Sequence, residues 1–200
     1  KTSEKWNKRQ KKAMEEFDTD RRKRILTDKQ KKAMPKEGFD SLKHVISSLR
    51  KELKHLLKAP KEWDLKELLR IQEYVIVSLY YNFPLRLDYA DLHVDSEEKN
   101  YIKKNTRKPR GYYINLADFK TSKSMGEQTF KLNRNNQRLL NKFIPQVRRL
   151  TKHGFLLSNH VGNKMTKQVL SKQLQHTTRK RLGRTFSVQL IRVLFAMKNR

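Results

Sequence analysis

Three basic side chains stand where this chain changes character, and together they have the chemistry of a phosphate clamp. Arg86 lies in F-P-L-R-L-D-Y, where a long apolar helical stretch breaks at a proline. Lys120 lies where an extended stretch runs into a polar turn, with Lys123 three residues on. Arg192 lies in S-V-Q-L-I-R-V-L-F-A, where helical spacing brings Val188, Ile191 and Phe195 close to its face. An arginine on an apolar helix is costly unless it is paired or reaches a ligand. Two guanidinium groups can hold the non-bridging oxygens of a phosphodiester while a lysine protonates a leaving oxygen. The competing reading is structural, with Arg86 and Arg192 paired to Asp88, Asp91 or backbone carbonyls. The residue types alone leave both open.

Other chemistries find little support. The chain has no cysteine, which removes disulfides, thiolate zinc sites, iron–sulfur clusters and cysteine nucleophiles. Its histidines (44, 55, 93, 153, 160 and 176) show no H-x-x-x-H or H-x-x-E pairing. The glycines are scattered singly, so no Gly-rich phosphate loop forms, and no G-x-S-x-G elbow is present. Acidic residues cluster only at 88–98, whereas a two-metal nuclease draws carboxylates from separate elements. No metal and no cofactor is expected.

Charge points to the partner. The chain has 200 residues with 48 basic and 20 acidic side chains, a formal net charge of +28. Residues 101–200 hold 24 basic side chains and only two acids, Asp118 and Glu127. Such a segment cannot neutralise itself, and a polyanion relieves the self-repulsion. Nucleic acid is the expected partner, DNA rather than RNA, and a membrane is not. The longest apolar run, Tyr74 to Tyr81, includes Ser78 and falls far short of the ~20 residues of a membrane span. No secretory signal follows Lys1, and the missing leading methionine reads as a processed or partial product. An intracellular setting (nucleus, cytoplasmic viral factory or virion) is expected rather than secretion.

The elements that must position these residues follow from apolar spacing. Residues 1–38 read as a basic arm in which Trp6, Met14, Phe17, Ile25, Leu26 and Met34 could dock locally. Phe39, Leu42, Val45, Ile46, Leu49, Leu53, Leu56 and Leu57 make one helical stripe, capped by Asp40 or Ser41 and stopped by Pro60. A second helix runs from Leu65 to Phe83 and ends before Pro84. Strands are predicted over Leu92–Asp95, Gly111–Phe119 and Glu127–Leu132, with a loop over 96–110 and a turn over 120–126. Helices resume through Leu139–Leu150, a short extended piece covers 155–157, and two further helices are capped by Thr166 and Ser187. Tyr80, Tyr81 and Tyr89 read as core or strand residues. The expected fold is mainly α with a small three-stranded antiparallel sheet (α+β).

Three of these stretches carry a resemblance. L-Y-Y-N-F-P-L-R-L-D-Y-A-D-L-H-V resembles the first arginine box of the tyrosine recombinase (phage integrase) catalytic domain. Y-Y-I-N-L-A-D-F-K-T-S-K-S-M-G-E-Q-T-F-K-L-N resembles that family's second and third strands, whose connecting turn bears a catalytic lysine. L-G-R-T-F-S-V-Q-L-I-R-V-L-F-A-M resembles its second box, H-x-L-R-H-S-F-A. The wording is closest to recombinase-like proteins of large DNA viruses and mobile elements, over about residues 62–198. The resemblance implies that Arg86, Lys120 and Arg192 surround a scissile phosphate. In an intact relative a tyrosine would attack that phosphate to form a 3′-phosphotyrosyl link, with Lys120 protonating the 5′ oxygen.

The departures matter equally. Gln189 stands where the family has histidine and can donate a hydrogen bond but cannot act as acid or base. Val193 occupies the second histidine position. The nucleophilic tyrosine is absent: the last tyrosine is Tyr113, and only eight residues follow Arg192. The expected organisation is a basic arm over 1–38, a helical segment over 39–60 that would be a remnant of a core-binding domain, and a recombinase-like catalytic-type domain over 61–200. Further nucleic-acid contacts are expected from Lys123, Arg107, Lys108, Arg110, Arg179, Lys180, Arg181 and Arg184. The functional expectation is DNA binding of the site-specific recombinase type, inactive as a lone chain. The alternative is a non-catalytic structural component of a virion or other large nucleoprotein assembly, with homo-oligomerisation open.

Overall fold

A computed structural model describes residues 28–58, 62–108 and 110–199. The chain divides into two units, Lys1–Lys36 and Glu37–Arg200. Among the described residues the first unit holds one short helix, α1 (Asp28–Ala33), with an exposed Lys31–Asp28 pair at 3.4 Å. The expected docking residues Trp6, Met14, Phe17, Ile25 and Leu26 lie outside the described residues.

The second unit is built around α4 (Leu65–Asn82). Asp64 starts it with a reciprocal capping box: its carboxylate accepts from the Glu67 amide at 2.7 Å, and Glu67 accepts from the Asp64 amide at 3.1 Å. Beyond the first turn the apolar residues run nearly all round the helix, which makes it a central rather than a surface helix. Leu68, Ile71 and Val75 are fully buried, each contributing about 1.5–3 kcal/mol relative to exposure. Helices α2 (Ser41–Glu52), α6 (Arg134–Leu150) and α7 (Lys167–Leu182) pack around it. The stripe predicted as one helix over 39–58 is a 3₁₀ turn at Gly38–Asp40, then α2, then α3 (Lys54–Lys58) after a break at Leu53. The break is slight, because Leu53 N still donates to Leu49 O at 2.9 Å and Leu57 N to Leu53 O at 3.0 Å. Asp40 stands at the N-cap without capping, its carboxylate instead meeting Lys198 at 2.5 Å and Lys43 at 3.3 Å. The 39–58 segment thus belongs to the same unit as all that follows it.

The antiparallel sheet has the order β1 (Asn100–Asn105), β2 (Gly111–Leu116), β3 (Gln128–Lys131). Ile114 faces Ile102 on one side and Phe130 on the other. This corrects the sequence expectation, which put the first strand at Leu92–Asp95 and a loop over 96–110. Leu92 and Val94 do alternate into the core, but only His93 bridges, to Tyr101 in parallel and to Phe155 antiparallel. The polar β1 buries only Asn100 and Ile102, so its composition looks like loop. Gly111 has φ +136°, and a Cβ there would stand 2.6 Å from the Gln137 amide nitrogen, so no other residue fits without strain. A short helix, α5 (Ser122–Met125), lies inside the predicted turn. Thr166 caps α7 and Ser187 caps the last helix, α8 (Val188–Lys198), both by accepting from the third amide on, as predicted.

Candidate phosphate-binding site

Arg86 is placed by two buried tyrosines at the end of α4. The Tyr80 hydroxyl donates to Arg86 O at 2.7 Å, and the Tyr89 hydroxyl donates to Phe83 O at 2.6 Å and Leu79 O at 3.1 Å. The rings meet edge to face at 5.0 Å. Phe83 N and Leu85 N already donate to Leu79 O and Phe83 O at 2.8 Å each, so the hydroxyls add second bonds to these carbonyls and fix the bend that carries Arg86. Burial drives both phenols far above their ordinary pKa.

Lys120 is placed by Asn100, a buried residue that the sequence reading left in a loop. Its amide oxygen accepts from Ala117 N at 3.1 Å and Asp118 N at 2.9 Å, and its amide nitrogen donates to Asp118 O at 2.7 Å. One side chain thereby holds the turn that leaves β2 and presents the lysine. Lys99, just before it, has φ +58°.

Arg86 and Lys120 line one cavity of about 640 Å³. Lys99, Lys164 and Lys167 add positive charge to its lining, and Asp88, Asp91 and Asp118 add negative charge. Asp91 is engaged, accepting from Lys167 at 2.7 Å and Lys164 at 2.9 Å. Burial alone would raise its pKa, but these two hydrogen bonds outweigh it and hold the carboxyl below its usual value. The Lys164 ammonium also sits 3.9 Å over the Phe155 ring. The loop bearing Phe155 and Lys164 is pinned from below by Gln72, fully buried, which exchanges bonds of 2.8 and 2.7 Å with the Ser158 backbone.

Arg192 lies on α8, off the cavity lining but interacting with Arg86, Asp88 and Tyr80. Burial, then the like charge of Arg86, lowers its pKa, although a guanidinium stays charged at neutral pH. The structural alternative, that Arg86 and Arg192 are paired to Asp88, Asp91 or backbone carbonyls, finds no salt bridge and no side-chain hydrogen bond from either arginine among the described residues. Asp91 is held by lysines. Asp88 is buried, and that burial raises its pKa despite Lys167 and Arg86 nearby. Arg192 thus feels the like charge of Arg86, and the Asp88 carboxyl that interacts with both itself resists ionisation. An anion would relieve that repulsion.

The remaining candidates scatter. Gln189 is exposed on the first turn of α8 and does not line the cavity. Lys123 is exposed on α5, and Arg107, Lys108 and Arg110 are exposed on the link between β1 and β2. Arg179, Lys180 and Arg184 are exposed around the end of α7. Arg181 differs: its side chain is only 12% accessible, bonded to Glu52 and, at 2.9 Å, to the Ser48 hydroxyl, so it ties α7 to α2 rather than facing solvent. None of the seven tyrosines lines the cavity. Among the described residues no cluster of three or more His, Asp and Glu could hold a metal, and no helix is long and apolar enough to cross a membrane. No protein-family model matches this sequence, and no curated protein matches it.

Proposed function

We propose that the protein binds DNA and seats one backbone phosphate at the cavity of Arg86 and Lys120, with Arg192 beside it, as in a site-specific tyrosine recombinase. The observation that carries this reading is the convergence of Arg86 and Lys120, from separate elements, on one cavity, with a second guanidinium, unpaired among the described residues, interacting with Arg86. Arg86 and Arg192 would bind the non-bridging oxygens, and Lys120 would meet a bridging oxygen. Residues 1–38 and the exposed cations of 101–200 would supply sequence-independent attraction. The chain offers no tyrosine to this cavity, so the reading is one of binding and positioning rather than strand cleavage by this chain alone.

A second reading, a structural nucleic-acid component of a virion or large nucleoprotein assembly, is favoured by Gln189 at the family's histidine position. Footprinting on duplex DNA separates the two. The recombinase reading expects a discrete protected site whose protection at the seated phosphate is lost in Arg86→Ala and Arg192→Ala but kept in Arg107→Ala. Uniform protection, with all three variants alike, would leave the structural reading in its place.

A further inference from the structure

The second cluster of unpaired positive charge lies away from the Arg86 cavity and shares no residue with it. A cleft of about 700 Å³ opens between α2–α3 on one side and α4 and α6 on the other. Six cations line it: Arg50, Lys51, Lys54, Lys58, Arg138 and Lys142. No carboxylate lines it. Among the described residues, no salt bridge is made by any of the six. Lys142 alone is partly engaged, donating to Leu57 O across the cleft.

Five of the six cations form two rows, one on each side of the cleft. Arg50, Lys54 and Lys58 recur every fourth residue along α2 and α3, so they stand one above another over about 12 Å at the helical rise. Arg138 and Lys142 stand one turn apart on α6. The floor between the rows is partly apolar, with the half-buried Tyr74 ring and Leu139. It also holds a buried hydroxyl: Ser78 Oγ interacts with the Tyr74 hydroxyl but makes no well-formed hydrogen bond. Six like charges around a partly apolar floor repel one another, and an anion with an apolar part would relieve that repulsion.

We propose that this cleft is a second nucleic-acid site, one that takes a single strand. Two linear rows match a linear array of phosphates, and an aromatic, apolar floor suits the face of a base. The cleft is too small for a duplex, which distinguishes it from the DNA bound at the Arg86 cavity. A free polyphosphate would satisfy the rows but not the floor. The site stands whether or not the Arg86 cavity binds DNA.

The test uses the full chain and a short fluorescein-labelled oligothymidylate, followed by anisotropy. Lys54 and Arg138 are exposed and make no described hydrogen bond, so Lys54→Ala/Arg138→Ala leaves the fold intact, as a thermal melt will verify. The expected result is an affinity loss of about ten-fold or more in that double variant, with little change in Arg86→Ala. Arg107→Ala/Lys108→Ala serves as the control for unspecific charge loss. Equal losses in the two double variants would overturn the proposal. So would tripolyphosphate binding that needs Lys54 and Arg138 while oligothymidylate binding does not, since the cleft would then serve a free anion. An affinity that falls with Arg86→Ala instead would place the single strand at the other cavity and also overturn it.

Discussion

Asp88 is the residue on which the charge of the candidate site turns. It is buried beside Arg86, and Arg192 interacts with it, yet burial raises its pKa, so its ionised form opposes the fold. The sign follows from linkage: a carboxyl with a raised folded pKa binds more protons folded than unfolded, so its contribution to stability falls as pH rises from the unfolded value through the folded one. Asp88→Asn removes that dependence and is expected to keep or raise the midpoint of urea unfolding at pH 7. It also deletes a negative charge that interacts with both guanidinium groups. Phosphodiester affinity should therefore rise by about 1 kcal/mol, roughly five-fold. In the wild type the same gain should emerge as pH falls toward the carboxylate range, and Asp88→Asn should flatten it. An affinity lowered by Asp88→Asn would show that the carboxyl itself contacts the ligand.

At the scale of elements, the site depends on turns more than on helices. Asn100 makes three bonds to the 117–118 turn, and Asn100→Ala leaves two amides and a carbonyl without those partners. The expected cost is about 1–3 kcal/mol in urea unfolding, together with a DNA affinity lowered to that of Lys120→Ala. Unchanged stability would mean that the turn holds its shape without the side chain. The sequence made the helices legible because their apolar spacing is regular, and Thr166 and Ser187 announced their caps through hydroxyls ahead of apolar runs. It also marked Arg86, Lys120 and Arg192, since each interrupts an apolar or extended pattern. Asn100, Gln72 and the Lys164–Asp91–Lys167 cluster stayed hidden. Their roles arise from contacts between distant segments, such as Gln72 with Ser158, and leave no periodic trace. β1 was missed for a related reason: an edge strand with one apolar residue facing inward reads as a polar loop.

For the whole molecule, the charge imbalance sets the form of binding. With a net charge of +28 and cations exposed on α5, on the β1–β2 link and around the end of α7, many phosphates should be contacted outside the cavity. A plot of log affinity for duplex DNA against log salt should therefore fall with a slope of about −5 or steeper, as for six or more phosphate contacts. A slope near −1 would mean that the exposed cations do not touch the DNA. The central claim is narrower, that Arg86 and Lys120 meet on one phosphate, and a double-mutant cycle tests it most directly. Arg86→Ala, Lys120→Ala and the double variant would be titrated with one duplex at fixed salt. Convergence on a shared phosphate predicts losses that fail to add, with a coupling of about 1 kcal/mol or more. Strictly additive losses, each no larger than that of Arg107→Ala, would contradict it.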